Sequence, residues 1–182
     1  MSQWRLYPFM IGRLDVSVAE HLDLIYRKTA CLFGSCTRLG AVIGGQDEKT
    51  EHWLGEYGRN LGMAFQLVDD LLDFTASEAV LGKPVGNDLR EGKVTLPLIY
   101  LLDRCTREEY AKISKVMEEG SFKSVSWEEL LDLLDRYDTP RRVKQEALQY
   151  AQNALKCLEG IPESPYKRAL SALPDFVVNR EN

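Results

Sequence analysis

Three carboxylates in an otherwise apolar stretch are the residues of this chain best suited to chemistry. Asp69, Asp70 and Asp73 lie within Gly62–Phe74, where most of the neighbours are apolar. In a helix Asp73 is four residues after Asp69 and three after Asp70, so each like-charged pair costs about 0.2 to 0.5 kcal/mol. We expect a cation to offset this cost, either a Lys or Arg from another helix or a bound metal. Hard oxygen ligands with few nearby His or Cys suit Mg2+ better than zinc.

A solvated acidic face is the other interpretation of the same residues. It fits poorly, because Leu67, Val68, Leu71 and Leu72 leave little room for a polar surface around the aspartates. We therefore expect a cation beside the three aspartates, either a Lys or Arg from another helix or a bound metal, for which Mg2+ is the better match.

The composition is that of an ordinary globular domain. The 182 residues include 45% hydrophobic ones and carry a net charge of -5, without the basic excess typical of nucleic acid binding. No apolar run reaches the roughly 18 residues of a membrane span, and the first residues do not have the layout of a signal peptide. We therefore expect one soluble cytoplasmic domain with no nucleic acid partner and no integral membrane segment. The four cysteines form neither a CxxC metal motif nor a disulfide framework, and we expect them to be small core residues.

Helix start and stop signals follow one another along the chain, so the sequence predicts an all-α fold. Ser17–Glu20 is a capping box at the start of an apolar pattern of helical period, which ends at Gly44. A second long helix is expected from about Asp47 to Phe74, and it includes the three aspartates. Further helices are predicted at these start signals: Thr95 with Pro97, Thr106–Glu109, Ser126–Glu129, Thr139–Pro140 and Ser164–Pro165.

Two features surround the carboxylates. Gly55, Gly58 and Gly62 lie on one side of the second long helix, and each costs about 1 kcal/mol relative to alanine, so another backbone or a ligand is expected to come unusually close. Thr75–Thr95 mixes glycines with charged residues directly after the aspartates. A loop of this length is expected to be a functional lid or a binding loop, or else a linker.

The spacing of the two long helices suggests which residues meet. If they form an antiparallel pair about a turn near Gln46, Lys28 and Asp69 differ in height by roughly 7 Å at about 1.5 Å per residue. A lysine side chain spans that distance, which would place Lys28 and Thr29 at the same cavity as the aspartates. In the alternative interpretation Lys28 is a solvent lysine and Thr29 is a helix-surface residue.

Three ordered blocks resemble the C-terminal half of the trans-polyprenyl diphosphate synthase family. They are Tyr26–Phe33, Tyr57–Phe74 and Leu81–Pro97, followed by a closing segment, Leu173–Arg180. The resemblance implies a partial isoprenoid-synthase helical bundle over residues 15–182, with residues 1–14 unassigned. It also implies an enzyme that joins isopentenyl diphosphate to an allylic diphosphate.

The resemblance assigns a role to each candidate residue. In that family the aspartate-rich motif, here Asp69, Asp70 and Asp73, holds Mg2+ against the diphosphate of the allylic substrate. The residues assigned to the diphosphate are Lys28, Thr29, Gln66, Lys83 and the loop lysine Lys93. Those with an implied catalytic role are Lys28, Thr29, Asp69 and Lys83. Metal ions and lysines stabilise the departing diphosphate, so no protein nucleophile is needed, and His21 and His52 are expected on helix surfaces.

The sequence also departs from the family. Asp69-Asp70 is its only adjacent aspartate pair, so the family's first aspartate-rich motif and its site for isopentenyl diphosphate do not precede Lys28. The chain has about half the family's length, which fits a cloned fragment, a truncated gene model or a natural half-length protein. We expect little or no elongation by this polypeptide alone. We also expect self-association through apolar faces that a full-length chain would cover.

Two other functions stay open at this point. One is a non-catalytic partner or interaction subunit that keeps only the diphosphate-binding wall. The intact residues Asp69, Asp70, Asp73, Lys28 and Lys83 favour part of an active enzyme instead. The other is a cyclising terpene synthase on the same helical fold, but Lys28–Thr29 and the loop around Lys83 resemble the elongating enzymes.

Overall fold

The computed structural model describes residues 10–75 and 86–180. Within these ranges all regular secondary structure is helical. The predicted all-α fold is confirmed. The elements are α1 (Val18–Ile25), a π-helical segment (Tyr26–Ala30), α2 (Cys31–Ile43), α3 (Glu48–Thr75), α4 (Asn87–Arg90), α5 (Leu96–Leu102), α6 (Arg107–Glu119), α7 (Trp127–Arg136), α8 (Thr139–Cys157) and α9 (Pro165–Val178). Among the described residues no helix is both long and apolar enough to span a membrane.

The chain divides into two compact units. Of the described residues, the first unit takes those up to Leu24 and those of Asp69–Val143, and the second takes Ile25–Val68 and those from Lys144 onward. The boundary between Val68 and Asp69 falls inside the continuous helix α3.

The predicted start signals form real caps to different extents. Ser17 and Glu20 exchange both bonds of a capping box, as do Thr106 and Glu109. At α7 only half of the box forms, because Ser126 accepts from the backbone of Glu129 while the Glu129 carboxylate pairs with Lys112. Local sequence therefore predicted where these helices begin, and longer-range pairing decided which cap bonds form.

The start signals at Thr95 and Ser164 differ from each other in whether the side chain caps its helix. Thr95 occupies the N-cap position of α5 without a side-chain cap bond, and its buried hydroxyl has no hydrogen-bond partner among the described residues. Ser164 does cap α9, since its hydroxyl accepts from the Lys167 amide at 3.1 Å. The helix starts at Thr95 and Ser164 were both predicted correctly, but only the second uses the expected bond.

The loop predicted over Thr75–Thr95 contains a helix that the sequence pattern did not reveal. Asn87–Arg90 forms the one-turn helix α4, preceded by Gly86 with a φ of +63°. A Cβ at Gly86 would lie 2.7 Å from the Phe122 ring and would also collide with Trp127. Glycine is therefore needed both for the backbone conformation and for the packing of the first unit. Residues 76–85, including Lys83, lie outside the described residues.

The second unit is built around the middle of α3. Its buried cluster combines one aromatic residue with aliphatic and small side chains from α3, α8 and α9 and the turn after α8, namely Tyr57, Leu61, Ala64, Ala151, Ala154, Leu158, Val177 and Val178. The Tyr57 side chain is fully buried, and its hydroxyl donates to the Leu170 carbonyl at 2.8 Å. This bond satisfies the one polar atom that the ring brings into the core.

Burial of Tyr57 lowers the stability of the fold at alkaline pH. Burial raises the pKa of Tyr57 to about 12, whereas an unfolded tyrosine ionises near pH 10. The unfolded chain therefore releases this proton first, and the free energy of unfolding falls by roughly 2 to 3 kcal/mol as the pH rises from about 10 to about 12. Urea unfolding at stepped pH would measure the fall, and Tyr57→Phe should remove it at a cost of about 1 to 3 kcal/mol at neutral pH. An unchanged slope in Tyr57→Phe would contradict this origin.

The close approach expected beside the three glycines is found at two of them. An added Cβ would lie 2.6 Å from the Ala30 Cα at Gly62 and 2.8 Å from the Phe33 carbonyl carbon at Gly58. At Gly55 the nearest neighbour is the flexible side chain of Arg38 at 3.6 Å, an ordinary contact. The π-helical segment and α2 thus press against α3 at Gly58 and Gly62.

The cysteines are not the core residues that the sequence suggested. All four are free thiols, and Cys36 is exposed while the others are half-buried. Cys31, Cys36 and Cys157 lie on helices and Cys105 lies between α5 and α6, so burial depends on the position of each residue, which its type alone does not reveal.

Candidate functional site

The C-terminal part of α3 places two of the three aspartates inside the first unit. Asp70 and Asp73 are 4% and 1% exposed, whereas Asp69 is exposed. The solvated acidic face is therefore excluded for Asp70 and Asp73. Buried carboxylates require donors or cations around them, because a bare buried charge costs several kcal/mol.

His21 supplies a donor to Asp70. Its Nε2 lies 2.9 Å from Asp70 Oδ2, and the ring is only 3% exposed. The prediction that His21 lies on a helix surface is therefore wrong, whereas the same prediction for His52 is confirmed by its exposure. The available signal was spacing, since His21 is four residues before the buried Ile25 and lies on the inward face of α1.

Asp73 accepts hydrogen bonds from the backbone at the start of α4. The Asp88 amide donates to Asp73 Oδ2 at 3.1 Å, and the Gly86 amide donates to the Asp73 carbonyl at 3.0 Å. These two bonds fix the start of α4 against the end of α3. The position of the returning chain is thus coupled to one of the candidate metal ligands.

The predicted loop lysine Lys93 lies in the same unit and is engaged in ion pairs. Its Nζ is 2.5 Å from Glu91 and 3.3 Å from Asp88, and its side chain is about one quarter exposed. Asp88 therefore links two candidate residues, because its amide donates to Asp73 and its carboxylate pairs with Lys93. A substrate phosphate would have to compete with two carboxylates for this ammonium group.

Thr29 and Gln66 come together in the second unit. The Thr29 hydroxyl donates to Gln66 Oε1 at 2.7 Å, and Gln66 is only 4% exposed. Thr29 belongs to the π-helical segment Tyr26–Ala30, a geometry that is frequent at functional sites. Lys28, the neighbouring residue, is exposed. The structure thus brings together two of the residues that the resemblance assigns to the diphosphate.

The residues of the aspartate-rich motif suit Mg2+ by their donor chemistry. Within the described ranges no group of three or more His, Cys, Asp or Glu side chains forms a ready cation cage. Mg2+ seldom uses such a cage, since it keeps several waters and binds through one or two carboxylates together with substrate phosphates. Asp70 and Asp73, each oriented by a hydrogen bond to Oδ2, match that type of ligand.

Comparison with known proteins identifies the family. Residues 8–134 match the family model described as polyprenyl synthetase, and the chain belongs to this family. It is 37% identical over 170 residues to a short chain isoprenyl diphosphate synthase of Methanothermobacter thermautotrophicus, covering 93% of this chain and 52% of the relative. It is 35% identical over 167 residues to octaprenyl diphosphate synthase of Escherichia coli, with coverage of 92% and 51%.

Solved structures agree with the sequence relatives. A polyprenyl synthase of Caulobacter crescentus complexed with calcium and isoprenyl diphosphate matches with a TM-score of 0.90 and 33% identity, over 98% of this chain and 54% of that one. A decaprenyl diphosphate synthase of Rhodobacter capsulatus matches with a TM-score of 0.88 and 34% identity, over 98% and 56%. The chain thus spans about half the length of the relatives that it matches.

Proposed function

We propose that this chain is the C-terminal portion of a Mg2+-dependent trans-prenyltransferase that condenses isopentenyl diphosphate with an allylic diphosphate to make a polyprenyl diphosphate. The observation that carries the proposal is the pair of buried aspartates at the end of α3. Asp70 and Asp73 each accept a hydrogen bond from another segment of this chain. The chain belongs to the polyprenyl synthetase family. Such fixed carboxylates suit a metal-bound diphosphate, because preorganised groups stabilise charge as it develops.

The candidate residues then have distinct roles. Asp69, Asp70 and Asp73 provide the metal ligands, and bound Mg2+ would neutralise charge on the leaving diphosphate. Binding of the diphosphate itself falls to these donors: Lys28, Thr29, Gln66, Lys83 and Lys93. Of these, Lys28, Thr29 and Lys83, with Asp69, act on the reacting group by holding the diphosphate as negative charge accumulates on it.

The reaction needs binding and orientation more than acid–base chemistry from this chain. The allylic C–O bond breaks and its electron pair leaves with the diphosphate. The double bond of isopentenyl diphosphate forms the new C–C bond with the allylic cation, and loss of a proton restores a double bond. Lysines and hydroxyl donors stabilise the leaving group directly, since phosphate oxygens accept their charge-assisted hydrogen bonds.

We propose that the polypeptide does not elongate prenyl chains by itself. It spans about half of its relatives, and the family's first aspartate-rich motif and the isopentenyl diphosphate site, both implied by the resemblance, do not precede Lys28 in its sequence. The same coverage favours one alternative function, that of a non-catalytic subunit that binds a diphosphate without turnover. The four free thiols suit a reducing cytoplasm, which is the compartment that we propose.

An elongation assay tests the proposal and separates it from the alternative. The chain is incubated with farnesyl diphosphate, labelled isopentenyl diphosphate and Mg2+, alone and mixed with the N-terminal half of a full-length relative. We expect no labelled product from either half alone and measurable product from the mixture. A mixture that binds farnesyl diphosphate but never forms product would support the non-catalytic subunit instead.

An apolar stripe on α2 supports self-association through a second copy of the chain. Leu32, Leu39 and Ile43 are 62%, 57% and 79% exposed, and their spacing of seven and four residues places them on one side of the helix. A contiguous exposed apolar surface promotes association. The second copy is the partner that this proposal names.

Light scattering should therefore find a dimer or larger assembly. Leu39→Lys combined with Ile43→Lys is expected to shift the mass to that of a monomer, because charges on the stripe oppose its burial. Tyr166→Lys serves as the control, since Tyr166 is 81% exposed but lies on α9. A compact wild-type monomer that binds no exposed-surface dye would refute the proposal.

A further inference from the structure

We infer that His21 is a positioning residue for Asp70, and that its ring sets the orientation in which this carboxylate meets a cation. The inference rests on the proposed function, and it adds a residue that the family resemblance did not assign. His21 does not contact the substrate. It acts through Asp70 alone.

The contact is a buried hydrogen bond between elements that are distant in sequence. His21 Nε2 and Asp70 Oδ2 are 2.9 Å apart, the residues are 49 positions apart, and they are 3% and 4% exposed. An ionised carboxylate can only accept hydrogen bonds, so the proton of this contact belongs to His21 Nε2. One oxygen of Asp70 is therefore hydrogen-bonded to α1, and rotation of the carboxylate would break this bond.

The other edge of the imidazole indicates that the pair is not there simply to fill the core. His21 Nδ1 is buried and has no hydrogen-bond partner among the described residues. A buried polar atom without a partner destabilises the folded state. Apolar side chains at positions 21 and 70 would avoid both this cost and the desolvation of the carboxylate. The arrangement is therefore better explained by the orientation that it imposes on Asp70.

The carboxylate of Asp73 also accepts a hydrogen bond from a separate segment of the chain. Asp73 Oδ2 accepts from the Asp88 amide at 3.1 Å, so each of these two buried aspartates of one helix is hydrogen-bonded at Oδ2 to a separate segment. Metal ligands are commonly oriented by such supporting hydrogen bonds, and loss of one typically lowers metal affinity by about tenfold to a hundredfold. His21 fills this role for Asp70, as the backbone of α4 does for Asp73.

Paired substitutions separate positioning from simple packing. His21→Phe keeps a ring of similar size but removes the donor, whereas His21→Gln places an amide N–H near the position of Nε2. His52→Phe is the matched control, because His52 is exposed on α3. If His21→Phe does not fold, His21→Asn replaces it, since its shorter amide stops before Asp70.

Calorimetric titration with Mg2+ and farnesyl diphosphate gives the first readout. We expect His21→Phe to weaken metal-dependent binding by about tenfold to a hundredfold, with His21→Gln close to wild type and His52→Phe unchanged. Wild-type affinity in His21→Phe would overturn the inference. Equal losses in His21→Phe and His21→Gln would also overturn it, because position 21 would then matter only for packing.

The second readout does not depend on metal or substrate. In the metal-free protein, the carbon NMR signal of the Asp70 carboxylate, assigned through its loss in Asp70→Asn, should move in His21→Phe and return toward wild type in His21→Gln. If the wild-type chain binds no diphosphate, the proposed function fails, and this signal still decides whether His21 orients Asp70. An unmoved signal in His21→Phe would overturn the positioning role on its own.

Discussion

Gly58→Ala is expected to destabilise the second unit by about 3 kcal/mol, near the upper end of overpacking effects. The added Cβ would lie 2.8 Å from the Phe33 carbonyl carbon and would also collide with Thr37 Oγ1. Because part of the obstruction is backbone, α2 and α3 must move apart to admit a single methyl group. Urea unfolding followed by circular dichroism would measure the change.

Gly55→Ala provides a control on the same helix. Its Cβ would meet only the Arg38 side chain at 3.6 Å, so the substitution should stabilise the chain by about 0.5 to 1 kcal/mol through helix propensity alone. Equal stability of the two variants would show that α2 does not approach α3 at Gly58 as described.

Asp73→Ala is expected to reduce Mg2+-dependent affinity for farnesyl diphosphate by about a hundredfold or more, since it removes a proposed metal ligand and not only its support. It also removes the acceptor that holds the Asp88 amide, so a second variant is needed. Asp73→Asn keeps an oxygen for that amide but removes the charge. It should therefore retain the thermal stability that Asp73→Ala loses, while both variants lose binding.

Asp132→Ala is the matched control for charge, because Asp132 is an exposed aspartate on α7. Calorimetry on the three variants gives the comparison. Wild-type affinity in Asp73→Asn would rule out this carboxylate as a metal ligand, and a loss in Asp132→Ala would indicate a nonspecific effect of net charge.

Features determined by local sequence were predictable. Ser17 and Thr106 start helices because each has a glutamate three residues later that completes a capping box. The glycines of α3 likewise indicated a close approach, since glycine inside a helix is otherwise unfavourable. For the candidate site, the sequence singled out the aspartate-rich motif and the two blocks that contain Thr29 and Gln66. The structure adds that Thr29 and Gln66 are hydrogen-bonded to each other.

Features determined by long-range contacts could not be predicted from the sequence. The His21 contact to Asp70 joins residues 49 positions apart, and a single histidine in an amphipathic helix does not indicate its partner. Helix α4 was not predicted from the sequence, because its start depends on Gly86 and on hydrogen bonds to Asp73 rather than on a local cap. Similarly, Glu129 was expected to complete a capping box and instead pairs with Lys112, which lies on α6.

We propose that this chain binds a diphosphate through a metal held by the aspartates of α3. Calorimetric titration of the wild-type chain with farnesyl diphosphate, with Mg2+ present and after its removal by chelation, tests this most directly. We expect saturable binding in millimolar Mg2+ that disappears when the metal is removed. No binding at any Mg2+ concentration, or equal binding with and without the metal, would contradict metal-dependent binding of the diphosphate by this chain.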